Sequence, residues 1–158
     1  MSRIKIERVT MKNYQEYLDM IKWRIHGKRA SQLRQEGELA PYTNEDITYG
    51  NCLEKEYFWV FAAKIDGEMV GYLQASLIPK PDKRKGTIFV DEVWTQDSFR
   101  GLGVAKALIE RIKEVGMDLD IWELRLTVDI DNPAARKVYT GAGMSEKECI
   151  FSRMRLRS

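Results

Sequence analysis

Thr87-Ile88-Phe89-Val90-Asp91-Glu92-Val93-Trp94-Thr95, followed by Arg100-Gly101-Leu102-Gly103-Val104-Ala105, decides the fold. The first run is rich in β-branched and aromatic residues and predicts a strand. Beyond the second run, Val104, Leu108, Ile112 and Val115 share one stripe of a helix predicted over 102–116. Strand, glycine-rich turn and helix start is an arrangement in which free backbone N–H groups meet a phosphate. The glycines remove Cβ obstruction, and the helix N-terminus favours negative charge. A Gly-x-Gly before a helix is as often only a tight turn. The common nucleotide motifs do not fit. No Gly-Lys-Ser/Thr follows, so a Mg²⁺-bearing phosphate loop is excluded, and Lys106 stands where a dinucleotide fingerprint needs its third glycine.

Downstream, Trp122, Leu124, Leu126 and Val128 alternate with Glu123, Arg125, Thr127 and Asp129 as a strand does. Asn132-Pro133 opens a helix to about Thr140, with proline at its favoured first position, and Gly141 and Gly143 end it. Glu146 to Leu156 predicts a terminal strand. Upstream, Tyr57 to Ile65 and Glu68 to Ile78 flank Asp66-Gly67, a hairpin signal because the turn needs positive φ. Residues 79–86 form the next loop, whose basic run reads as a solvated turn. Ile4 to Val9 reads as the first strand. Thr10 or Asn13 caps a helix carrying Tyr14, Leu18, Ile21 and Ile25. The polar stretch 27–43 holds a second helical piece or a loop, and Asn44 to Leu53 a short helix. Hairpins early and one strand–helix–strand crossover late predict a single α/β (α+β) domain over residues 1–158, with a mixed, mainly antiparallel sheet flanked by helices.

Length and charge narrow the function. A chain of 158 residues buries a sizeable core as one domain. Lys plus Arg number 26 and Asp plus Glu 24, a net charge of +2 that argues against nucleic acid as a partner. No run resembles a signal peptide or approaches a membrane span, so a cytoplasmic protein without a membrane partner is expected. Cys52 and Cys149 lack metal-ligand spacing and read as reduced, buried thiols. His26 is the sole histidine, beside Gly27, Lys28 and Arg29. No metal site is expected, and any His-dependent nucleophile would have to use this residue, which reads as structural.

With these pieces in place, the chain resembles the GNAT superfamily of acetyl-CoA-dependent N-acetyltransferases. Arg100-x-x-Gly103-x-Ala105 matches that family's Arg/Gln-x-x-Gly-x-Gly/Ala pyrophosphate loop. Asn132-x-x-Ala135-x-x-x-Tyr139-x-x-x-Gly143 is similar to its second cofactor motif. The resemblance covers residues 57–156; the first fifty or so match only in their β–α–α order. It implies acetyl-CoA as co-substrate, with Arg100, Gly101, Leu102, Gly103, Val104 and Ala105 at the pyrophosphate and Asn132, Ala135 and Tyr139 in the second motif. It further implies that the backbone of Val93, Trp94 and Thr95 pairs with the pantetheine arm, like an added strand. This strand and Leu124–Val128 would be parallel neighbours that splay apart, often helped by a bulge, to admit the thioester. Trp94 reads equally as a rim or core aromatic. Ala105 replaces the commoner glycine, Met144 stands where phenylalanine is usual, and Thr140-Gly141 lacks the customary basic residue. Lys106, Arg136 or Lys137 would substitute at the phosphates.

Acetyl transfer to an amine needs a neutral amine, a stabilised oxyanion and a proton for the departing thiolate. The resemblance assigns the oxyanion to the N–H of Val93 or Trp94 and the proton to Tyr139. A phenol of pKa about 10 suits a thiolate whose acid lies near 8.5. For the base, Asp91 takes first place and Glu92 second; alternation would put them on opposite faces. The pair resembles the Glu-Asp pair at the same offset in spermidine/spermine acetyltransferases, which receives a cationic amine. Residues 24–57 would wall the acceptor site, with Glu45 or Asp46 contributing. The expected activity is direct acetyl transfer to the primary amine of a small cationic molecule. A peptide or protein acetyltransferase is the alternative acceptor class, and an inactive CoA-binding sensor or interaction module the alternative outside enzymes. A homodimer paired through the terminal strand from Glu146 is a further expectation.

Overall fold

The computed structural model describes residues 3–158. Five strands form one sheet in sequence order: β1 (Lys5–Arg8), β2 (Phe58–Ile65), β3 (Glu68–Ile78), β4 (Thr87–Thr95) and β5 (Glu123–Arg125). The first four pair antiparallel, and β4 pairs parallel with β5. The β2–β3 turn places Asp66 at φ 51° and Gly67 at φ 83°, the two consecutive positive values that a tight hairpin turn demands.

Helices α1 (Tyr14–His26) and α4 (Val104–Asp118) cover opposite faces of this sheet. On one face Val104, Leu108, Ile109 and Ile112 of α4 pack on Phe61, Leu73, Ile88 and Val90. On the other, Tyr14 and Met20 of α1 pack on Val9, Val60 and Tyr72. Leu108 and Ile112 are wholly buried, each contributing about 1.5–3 kcal/mol by leaving water. Gly71 lets the start of α4 approach β3. A Cβ there would lie 2.8 Å from both the Trp94 carbonyl oxygen and Val104 Cγ1. The short helices α2 (Ala30–Gln35) and α3 (Asn44–Thr48) lie between α1 and β2, and α5 (Pro133–Gly141) follows β5. The 44–53 segment is thus split, with α3 giving way to a 3₁₀ turn over Tyr49–Cys52.

Several expectations are corrected. Gly116 does not end its helix, which runs to Asp118; Gly116 is buried there against Ile88 and Leu124, and packing offsets a propensity cost of about 1 kcal/mol. The strand expected over 122–129 pairs only at Glu123–Arg125, because its partner diverges beyond that point. The terminal strand expected over 146–156 does not form. Alternation supplies a strand's faces but not its ladder partner, and residues 145–158 lie exposed without one. Cys52 and Cys149 are exposed rather than buried: one ends the 3₁₀ turn, with Sγ 3.5 Å from the Tyr49 carbonyl, and the other lies in the exposed C-terminal segment.

Candidate active site

The β4–β5 ladder joins Thr87 to Glu123, Ile88 to Leu124 and Phe89 to Arg125, and stops there. β4 continues to Thr95 paired with β3 alone. From Val90 onward its other edge has no strand neighbour among the described residues, so that edge stands open beside the chain leaving β5. Backbone donors and acceptors along such an edge are free to pair with an extended guest. Val93, Trp94 and Thr95 all lie on this stretch, partly buried.

A bulge reshapes the same strand. Gln74 stands opposite Glu92 and Ala75 opposite Val90, leaving Asp91 as the extra residue. Val90 and Val93, three apart, consequently both join the α4-side core. Strict alternation, which would send Asp91 and Glu92 to opposite faces, is therefore broken. Glu92 turns toward α1, and Asp91 is exposed.

Glu92 is held by two residues that sequence reasoning missed. The Tyr72 hydroxyl donates to Glu92 Oε2 at 2.7 Å and accepts from Arg24 Nη1. Arg24 Nη1 also lies 3.4 Å from Glu92 Oε2, and both side chains are two-fifths exposed. Burial raises the Tyr72 phenol far above its usual value, and its bond to the Glu92 carboxylate adds to this. Tyr17 meets the Tyr72 ring edge-on at 5.6 Å; burial, then the charge of Glu92, pushes its phenol up to about 12. Trp94 lies 6.0 Å from Tyr72, so it belongs to an aromatic wall running from α1 to β4. Only the strand register, which sets Tyr72 opposite Trp94, would have exposed this wall. Asp46, expected as a candidate, is engaged elsewhere. It forms a capping box with Thr43 at the start of α3, and bonds from the Thr43 backbone and hydroxyl lower its carboxyl pKa.

Past the end of β4, Gly101 and Gly103 adopt φ of 77° and 88°, conformations that disfavour any side chain. Gly103 caps α4 without any side-chain cap, leaving the first-turn N–H groups available to an anion. Val104 is itself core, so only its backbone could serve a ligand, whereas Leu102 is exposed. Arg100 reaches Asp97 at 2.9 Å, and both side chains stand largely in solvent.

Tyr139 of α5 packs, half-buried, on the α4-side core with Val93 and Leu126. Burial raises its phenol above the ordinary value. Asn132 Oδ1 accepts from the Ala135 backbone N–H at 3.1 Å, so these two motif residues cap the helix that carries Tyr139. Arg136 grips Glu146 through two bonds of 2.6 and 3.0 Å, which leaves Lys106 and Lys137 as the exposed cations of this group. Tyr139 and Glu92 thus lie on opposite faces of the sheet, one with the α4-side core and the other bonded to Tyr72 on the α1 side. Among the described residues no cluster of His, Cys, Asp and Glu could hold a metal ion, and no helix is long and apolar enough to cross a membrane.

The family model described as the acetyltransferase (GNAT) family matches residues 19–144. An L-2,4-diaminobutyric acid acetyltransferase of Methylotuvimicrobium alcaliphilum is 29% identical over 103 residues, spanning 64% of this chain and 58% of that protein. The aminoglycoside N(6')-acetyltransferase type 1 of Salmonella typhimurium is 29% identical over 109 residues, spanning 65% of this chain and 74% of its own length. Among solved structures, aminoglycoside N-acetyltransferase AAC(6')-Iy in complex with CoA superposes with a TM-score of 0.71 at 22% identity, covering 98% of this chain and 97% of that one. At that identity the likeness is one of fold.

Proposed function

The chain belongs to the GNAT acetyltransferase family, and on that premise we propose that it moves an acetyl group from acetyl-CoA to the primary amine of a small cationic molecule. The observation that carries the reading is the β4 edge left unpaired beyond Phe89, followed in the chain by the start of α4 that no side chain caps. In this reading the N–H groups around Gly103, with Arg100, hold the pyrophosphate, and the free edge of Val93–Thr95 pairs with the amide-bearing arm. The acceptor nitrogen attacks the thioester carbonyl directly. An N–H of Val93 or Trp94 steadies the oxyanion, the C–S bond breaks, and the thiolate takes the phenolic proton of Tyr139. The proton lost by the amine passes to Asp91 or to water.

Asp91 ranks above Glu92 as the base because Glu92 is already bonded to Tyr72 and paired with Arg24, whereas Asp91 is exposed at the bulge. Its carboxylate also attracts an ammonium group. Two relatives carry names for acting on diaminobutyrate and on aminoglycosides, both small molecules with several amines. A cytoplasmic setting suits the two free thiols.

Calorimetric titration with acetyl-CoA tests the reading. Saturable binding in the micromolar range, followed by turnover with a diamine or an aminoglycoside, is the expected result. No binding near millimolar concentration by folded protein would reduce Arg100–Ala105 to a turn. Tight binding with no acceptor among small amines would move the assignment to a peptide acceptor or a cofactor-binding module.

A further inference from the structure

We propose that Arg24 and Glu92 together hold the α-amino acid head group of the acceptor, so that the acceptor is a diamino carboxylic acid whose distal amine takes the acetyl group. This deepens the acetyl-transfer reading and rests on it. The two charges come from elements far apart in sequence. Arg24 stands in the last turn of α1 and Glu92 beside the bulge of β4, with Nη1 and Oε2 3.4 Å apart.

Tyr72 fixes them both. It is wholly buried, met edge-on by Tyr17 at 5.6 Å and flanked by Trp94 at 6.0 Å. Its hydroxyl accepts from Arg24 Nη1 and donates to Glu92 Oε2. The guanidinium carbon of Arg24 also stands 5.7 Å from the centre of the Tyr72 ring. One buried residue thus holds a cation and an anion side by side, and less side-chain freedom is lost when a guest binds.

Both charges keep capacity for that guest. Among the described residues Arg24 hydrogen-bonds only through Nη1, which leaves the donors on Nε and Nη2. Glu92 accepts only at Oε2, which leaves Oε1. Each side chain is 41% exposed, so a solute reaches it, and a pair this exposed adds little to stability.

The remaining groups match one kind of guest. A guanidinium fork takes a carboxylate by two parallel bonds, and a carboxylate oxygen takes an ammonium. An α-amino acid carries both groups on a single carbon, adjacent as their partners are here. A phosphate is disfavoured, because its second negative charge would face Glu92 and the neighbouring Asp91. A plain diamine satisfies Glu92 but leaves the fork unused and sets its own charge against Arg24. Asp91, exposed at the bulge, is left to receive the distal amine.

Calorimetry on the protein with saturating CoA tests this without relying on turnover. Ornithine, lysine and 2,4-diaminobutyrate are each compared with the decarboxylated counterpart: putrescine, cadaverine and 1,3-diaminopropane. At least one diamino acid should bind about 10- to 100-fold tighter than its diamine, the range for hydrogen bonds to charged groups. Arg24→Gln should bring that ratio to within about threefold of one, a comparison in which any general weakening of the site cancels. With acetyl-CoA, the product should carry its acetyl group on the side-chain nitrogen. Ratios near one in the parent protein, a preference that survives Arg24→Gln, or acetylation of the α-nitrogen would each overturn the head-group assignment. A preference lost in Arg24→Gln, but with no turnover of any diamino acid, would keep the head-group site and sink the acetyl-transfer reading.

Discussion

At Tyr139 the proposed acid chemistry rests on a single oxygen. Its ring packs on the α4-side core, and burial holds the phenol above its ordinary value, so the proton remains in place across neutral pH. Tyr139→Phe keeps the ring and removes the donor. Turnover should fall by about 100-fold, the low end of general-acid contributions, while acetyl-CoA affinity measured by calorimetry stays within about twofold. Equal turnover in mutant and parent would take Tyr139 out of the acid role. Its own falling limb in a pH–rate profile should lie above about pH 10, because the raised pKa delays loss of the proton. The resemblance of the Asn132–Gly143 motif singled this residue out as a candidate in the sequence. Arg24 and Tyr72 were not singled out, since nothing local tells a helix arginine or a strand tyrosine that they will share one carboxylate.

Elements succeed or fail here by what they meet. Gly71 sits in the middle of β3, where a glycine ordinarily weakens a strand. Its reason is across the layer: the Trp94 carbonyl and Val104 leave no room for a Cβ. Gly71→Ala should cost about 1–3 kcal/mol in a urea titration, the usual range for overpacking, and should weaken acetyl-CoA binding by displacing the first turn of α4. Unchanged stability and binding would show that α4 can shift freely. Composition predicts a strand over Thr87–Thr95, but one residue more on β4 than on β3 breaks the alternation. β5 was expected over 122–129 from its pattern and forms only Glu123–Arg125, because its pattern does not record where the pairing with β4 ends.

Across the whole molecule, buried phenols link the fold to alkaline pH. Tyr14, Tyr17, Tyr42, Tyr72 and Tyr139 all have raised pKa values, burial being the largest cause in each. Their folded values exceed the unfolded value of about 10, so the unfolded chain ionises first. The stability they confer is complete below about pH 10 and is lost as pH rises through the folded values, with Tyr17 near 12. Melting temperature should therefore hold level from about pH 8 to 10 and then fall steeply. A level profile to about pH 11.5 would show that these phenols are open to solvent in the folded protein.

Periodicity, the Asp66-Gly67 turn and the two glycine-bearing motifs determined by themselves the order of the main elements from β1 to α5, the strand–turn–helix and the family resemblance, because each depends on neighbours within a few residues. Tertiary structure alone decided where β4 parts from β5, which way Glu92 turns, that Arg24 and Tyr72 hold it, and that the alternating C-terminal segment finds no edge in its own chain. Those outcomes depend on register and on contacts between residues as much as 68 positions apart, which local pattern does not encode.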